Sequence, residues 1–148
     1  MVRKLIEFAL DNSRVLAGAT HFYKSTGKTF VRNFADINNM ILRNSFDVMF
    51  WKRVEPDSLM QPWADCRFYF TSKEFARKHL IPAYLRTDDK VAACEYHILQ
   101  ELNRTATTGL APRPLVHGVE GGTDQDYFDQ SLGILDTQLQ CWAIRKAQ

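Results

Sequence analysis

The fold prediction starts from residues 124–146, which read DQDYFDQSLGILDTQLQCWAIRK. Large apolar residues recur here in alternating steps of four and three, at Phe128, Leu132, Leu135, Leu139 and Trp142. Such spacing places side chains along one face of an α-helix. Acidic residues precede this apolar stripe, and Arg145 and Lys146 end it, an arrangement that complements the helix dipole. The stretch therefore predicts a helix over 127–146.

A second apolar stripe with nearly the same spacing precedes it in the chain. Its members are Phe30, Phe34, Ile37, Ile41, Val48 and Trp51. Asn44 occupies the remaining position of the stripe, where an asparagine loses hydrogen bonds unless it is paired. We therefore favour a break at Asn44 and Ser45, one of which caps a new helix toward Trp51. Helices over 30–51 and 127–146 are expected to form the heart of the core.

The rest of the chain predicts more helix than strand. Residues 2–23 have helical periodicity, and Thr71 with Glu74 matches a capping box at the start of a helix that ends near Pro82. A further helix is expected to open at 87–89. The composition of residues 67–70 is typical of a short edge strand.

The expected fold class follows from this distribution. Residues 105–123 hold two prolines and four glycines and predict a long loop. The chain as a whole predicts a mainly α, single compact domain over 1–148, of about five helices with at most a small β element. An α+β fold is the alternative.

Composition excludes several classes of protein. Of 148 residues, 45% are hydrophobic and 24% charged, and the net charge is only +2, which is typical of a soluble globular domain. There is no targeting segment at the start and no apolar run long enough for a membrane helix, so a cytoplasmic protein without membrane contact is expected.

The cysteines favour a reducing compartment. They number three, are far apart and contain no C-x-x-C pair, so neither a disulfide framework nor a zinc site is predicted. Cys94 and Cys141 are interpreted as small core side chains on helices. We expect no metal and no cofactor.

One pattern is typical of a metal-dependent nuclease. Pro56-Asp57 followed by Asp88-Asp89-Lys90 resembles, in these residues only, the restriction-endonuclease-like superfamily. The resemblance implies two carboxylates that hold a divalent cation and a lysine that positions the attacking water. That family carries the Asp-x-Lys on a strand, whereas here it opens a predicted helix.

Non-catalytic nucleic-acid binding is a further alternative. Basic side chains alternate with aromatic ones around the second apolar stripe, at Arg32, Arg43, Lys52 and Arg53. Such interleaving suits stacking on bases and contact with phosphates. The acidic residues Asp36 and Asp47 in the same segment weaken this interpretation.

The preferred hypothesis is a non-catalytic protein-binding module, such as an adaptor, an assembly factor or an inhibitor of a larger machine. A single helix cannot bury all of Val48-Met49-Phe50-Trp51, and Met60 and Trp63 follow shortly. Surplus aromatic and methionine side chains are enriched in protein interfaces. The predicted partner site therefore consists of Phe50, Trp51, Met60 and Trp63. A homodimer is also open, through the stripe from Phe128 to Trp142.

Overall fold

The computed structural model describes residues 2–26, 28–53, 63–87, 93–119 and 138–146. The helices are α1 (Val2–Asn12), α2 (Arg14–Ala17), α3 (Phe34–Arg43), α4 (Lys73–Phe75), α5 (Ile81–Leu85) and α6 (Cys94–Thr105), and a π-helical turn (Ala76–Leu80) joins α4 to α5. The strands are β1 (His21–Ser25), β2 (Thr29–Val31), β3 (Phe46–Arg53), β4 (Trp63–Ser72), β5 (Thr107–Pro112), β6 (Val116–Gly118) and β7 (Gln138–Arg145).

An antiparallel sheet of five strands organises the molecule, in the order β1-β4-β3-β7-β5. Strands β2 and β6 pair separately as a short ribbon. The fold is thus α+β, and the prediction of a mainly α, helical domain is wrong. No helix of the described residues is both long and apolar enough to cross a membrane.

Apolar clusters cover both sides of the sheet. On one side, here called the major face, the sheet packs against α1, the α4–α5 segment and α6 through side chains such as Leu10, Leu80 and Ile98. On the other side, the minor face, α3 contributes Ile37 and Ile41, and the β2–β6 ribbon adds Val31 and Val116.

The central strand β3 explains why the sequence misled the helix prediction. Val48 and Phe50 enter the cluster on the major face, whereas Met49 and Trp51 enter the cluster on the minor face. A strand that is covered on both sides is apolar at every position, so it lacks the alternation that marks a half-exposed strand. The predicted break at Asn44 and Ser45 is present, but the segment that follows it is strand and not helix.

The predicted helix over 127–146 is also wrong in its described part, because residues 138–145 form β7. Leu139 packs on the minor face and Trp142 on the major face, as expected for strand residues three positions apart. Phe128, Leu132 and Leu135 lie outside the described residues.

Other boundaries differ from the sequence-based expectation as well. The predicted helix over 2–23 ends at Ala17, and its last residues belong to β1. Residues 67–70 are strand as predicted, but they lie in β4, which has a neighbour on each side. Helix continues past Pro82 to Leu85, and the described part of 105–123 contains β5 and β6.

Ser72, not Thr71, caps the helix that follows β4. Its hydroxyl oxygen accepts a hydrogen bond from Phe75 N (3.1 Å) and donates one to Asp47 Oδ2 (2.9 Å). Thr71 is fully buried within the strand.

Replacing Ser72 with alanine is expected to lower the free energy of unfolding by about 1 kcal/mol, since a helix cap is lost. Ser13→Ala removes the equivalent cap from α2, which ends at Ala17, whereas the helical segment after Ser72 continues to Leu85. It should therefore cost less. Urea denaturation of both variants checks this prediction. Equal stability of Ser72→Ala and the wild type would contradict it.

Candidate functional site

The described part of the sheet has two edges, and they are built differently. Strand β1 carries polar and charged side chains along its edge. Lys24 of this strand points into the major face. The ring nitrogen Nε2 of His21, also in β1, lies 2.8 Å from Asp47 Oδ1. Inward-pointing charges are a known protection of edge strands against pairing with another chain. Strand β5 has the sequence TTGLAP and carries no charged residue.

Strand β5 is also the more accessible of the two edges. Residues Thr107, Thr108, Gly109 and Leu110 are all exposed, and Leu110 keeps 68% of its surface. Among the described residues β5 pairs only with β7, from Thr107 opposite Ala143 to Pro112 opposite Gln138. Every second residue of β5 therefore directs its backbone N–H and C=O away from the sheet.

A cleft of about 320 Å³ lies beside this edge. Its walls include Met40 from α3, Phe46 and Met49 from β3, and Cys141 from β7. The one charged side chain among its described lining residues is Arg145, whose guanidinium lies 5.6 Å from the centre of the Phe46 ring. The cleft thus has both apolar and polar walls, the polar ones from Asn44, Thr107 and Thr108, with a cation at one side.

The side chains of β5 leave this cleft open. Ala111 packs in the cluster on the minor face. Because alternate residues of a strand point to the same face, Thr107 and Gly109 face that side too. All three are small. A side chain of a neighbouring strand can therefore enter the cleft without displacing a residue of β5.

The residues of the predicted partner site are not assembled into one surface. Phe50 and Trp51 are fully buried, on opposite faces of the sheet. Trp63 is half-buried at the start of β4, and Met60 lies outside the described residues. Phe50 and Trp51 therefore offer no side-chain surface to a partner in this conformation.

The residues of the nuclease pattern, Asp57 and Asp88-Asp89-Lys90, lie outside the described residues. The basic residues of the nucleic-acid hypothesis are divided. Arg43 ends α3 on the minor side, whereas Lys52 Nζ lies on the major side, 4.7 Å from the centre of the Trp142 ring. Arg32 is exposed after β2, and nothing is described of the Arg53 side chain.

A cluster of potential metal ligands lies elsewhere, between β4 and the start of α6. One ligand atom each of Cys66, Cys94 and Glu95 lies within 4.8 Å of the others. The hydrogen bond with Cys94, together with burial, raises the pKa of the Cys66 thiol. Burial lowers the pKa of the neighbouring Lys24 ammonium, and the charges of Cys66 and Asp65 oppose that shift.

Sequence reasoning missed both the open edge and this cluster. The edge fell within a predicted loop, and its signal was a run of threonines followed by a proline, Thr107 to Pro112. The two cysteines are far apart in the chain, and only the fold brings them together.

Comparisons of the chain with protein-family models, curated proteins and solved structures find no match.

Proposed function

We propose that this domain is a non-catalytic protein-binding module that accepts an extended segment of another protein beside β5. The observation that carries the proposal is the combination of an uncharged, exposed edge strand with a cleft of mixed polarity next to it. This is the arrangement that recognition by β-strand addition requires. The partner segment becomes the sixth strand of the sheet.

Backbone hydrogen bonds would supply most of the affinity. The outward N–H and C=O groups of alternate residues within Thr107–Ala111 pair with the backbone of the incoming segment, whatever its sequence. Because β1 is protected by charge and β5 is not, the segment is directed to one edge of the sheet.

The cleft would supply selectivity. A side chain of the segment that faces the minor side enters beside Met40, whose flexible thioether adapts to different apolar shapes. Arg145 at the side of the cleft favours a carboxylate on the same segment. We therefore expect the bound sequence to combine a large apolar residue with an acidic neighbour.

A second copy of this chain fits the edge less well. Antiparallel pairing of two β5 strands brings Thr107, Gly109 and Ala111 of the copy to the minor side. None of these side chains is large enough to fill the cleft. An extended segment of a different protein is therefore the preferred occupant.

The substitution Gly109→Lys tests the proposal. A Cβ atom at Gly109 meets nothing within 4 Å, so the fold tolerates the change, while the lysine adds a charge at the centre of the edge. A displayed library of random peptides is selected on the wild type, and enriched peptides are titrated by fluorescence anisotropy. We expect Gly109→Lys to weaken their binding about tenfold or more.

Gly18→Lys is the matched control, because a Cβ there is also unobstructed and the site lies on the N-terminal helical segment. It should bind the peptides as the wild type does. Absence of enriched peptides, or equal binding by Gly109→Lys, would overturn the proposal. So would a wild-type dimer, measured by light scattering, that dissociates in Gly109→Lys.

A further inference from the structure

Three side chains with metal-binding atoms converge at the point where β4 meets the start of α6. Cys94 is the first residue of α6, Glu95 is the second, and Cys66 reaches them from β4. The Cys94 Sγ atom lies 3.2 Å from Glu95 Oε2, and all three ligand atoms lie within 4.8 Å of one another. The cluster joins two elements that are distant in sequence.

A local irregularity of β4 places Cys66 in this position. Phe50 of β3 lies opposite Tyr69 of β4, but Lys52, two residues further along β3, lies opposite Ala64, five residues from Tyr69. The stretch of β4 here is therefore longer than the stretch of β3 that it faces. The extra residues form a bulge that Asp65 holds together by accepting hydrogen bonds from the backbone N–H of Arg67 (3.0 Å) and its guanidinium (2.6 and 2.9 Å). Bulges of this kind redirect side chains next to functional sites.

Lys24 supplies the charge that such a site needs. Its ammonium donates a hydrogen bond to the Cys66 carbonyl and interacts electrostatically with Cys66, Cys94 and Glu95. Two thiolates and one carboxylate carry three negative charges, a divalent cation cancels two of them, and Lys24 cancels the third. Asp65 is neutralised separately by Arg67. The half-buried assembly then has no net charge, so no uncompensated charge is left at the site.

We propose that Cys66, Cys94 and Glu95 bind one zinc ion. Zinc takes thiolate and carboxylate ligands in tetrahedral geometry, with Zn–S distances of about 2.3 Å, which places ligand atoms roughly 3.5–4 Å apart. The observed cluster meets this spacing with small side-chain movements. The soft thiolates select zinc over magnesium or calcium.

The fourth position of the zinc ion would be taken by water. Tyr69 and Tyr84 lie close enough to both thiols to interact with them electrostatically. Their hydroxyl groups are buried and interact with each other, and neither has another hydrogen-bond partner among the described residues. A metal-bound water offers this pair of buried hydroxyls a further hydrogen bond.

Titration with Co²⁺ tests the site, because cobalt bound to thiolates has a charge-transfer absorption that cobalt in water lacks. The reduced, chelator-treated full chain should bind one equivalent of Co²⁺ with this absorption, and Zn²⁺ should displace it. Cys66→Ser and Cys94→Ser should lose the absorption. Cys141→Ser should keep it, because Cys141 lies on the opposite face of the sheet.

A measurement on the wild type keeps the test independent of variant folding. Excess Zn²⁺ should slow alkylation of Cys66 and Cys94 by iodoacetamide, followed by mass spectrometry, and leave the rate at Cys141 unchanged. No thiolate absorption with Co²⁺, or equal alkylation rates with and without zinc, would overturn the proposal. A Cys66–Cys94 disulfide in air, with no metal bound after reduction, would also overturn it.

Discussion

Replacing Trp51 with alanine is expected to lower the free energy of unfolding by about 3–5 kcal/mol. Its indole ring is fully buried on the minor face and stacks against Phe68, with ring centres 5.5 Å apart. Its Nε1 donates a hydrogen bond to the Pro112 carbonyl (2.9 Å). The substitution therefore leaves a cavity and deprives a carbonyl of its partner. Urea denaturation followed by circular dichroism measures the change.

Trp63→Ala is the matched control for this prediction. Trp63 is half-buried at the first residue of β4, so fewer contacts are lost and the destabilisation should be clearly smaller. Equal effects of the two substitutions would contradict the assignment of Trp51 to the core. The comparison also separates a structural role of Trp51 from the partner-binding role expected from sequence.

Replacing Glu101 with glutamine is expected to lower the free energy of unfolding at pH 7 by about 2 kcal/mol. The carboxylate accepts hydrogen bonds from Arg86 Nη2 (2.8 Å) and Arg104, and it lies 3.1 Å from His79 Nδ1. Burial tends to raise the pKa of Glu101, but these three partners outweigh it and hold the pKa at about 2. The two arginines are partly exposed, so solvent screening limits the gain.

The pH dependence has a definite sign. The pKa of Glu101 is lower in the folded chain than its ordinary value of 4.5, so its stabilisation is complete above that value. As pH falls from about 4.5 to 2, the carboxylate is protonated and the stabilisation is lost. Denaturation measured at several pH values should show that the free energy of unfolding falls less in Glu101→Gln than in the wild type over this range. Glu74→Gln removes an exposed carboxylate from α4 and serves as the control. Parallel curves for Glu101→Gln and the wild type would refute the prediction.

Sequence patterns could predict local boundaries better than fold class. The end of α3 was predictable because Asn44 interrupts an apolar stripe, and the strand character of residues 67–70 followed from their aromatic composition. Strands β3 and β7 were not predictable in this way. Both are covered on two sides, so their apolar residues match a helical repeat as well as a strand.

The candidate site depended even more on tertiary structure. Which strand becomes an open edge follows from the order in which strands pair. The threonines and the proline of Thr107–Pro112 are compatible with an edge strand but do not encode that order. Burial of Phe50 and Trp51 likewise follows from the central position of β3. The second covered face of the sheet accounts for two side chains of the apparent surplus, Met49 and Trp51.

The bulge in β4 also restricts the registers in which β3 and β4 can pair. Ala64, Cys66 and Tyr69 all contact the major face, whereas Phe68 contacts the minor face, so the alternation changes phase within the bulge. A regular hairpin nucleated from either end would put the apolar side chains of the other half on the wrong side. The Asp65–Arg67 contact is local in sequence and forms without distant partners. It therefore favours the bulged register of this hairpin over a regular one.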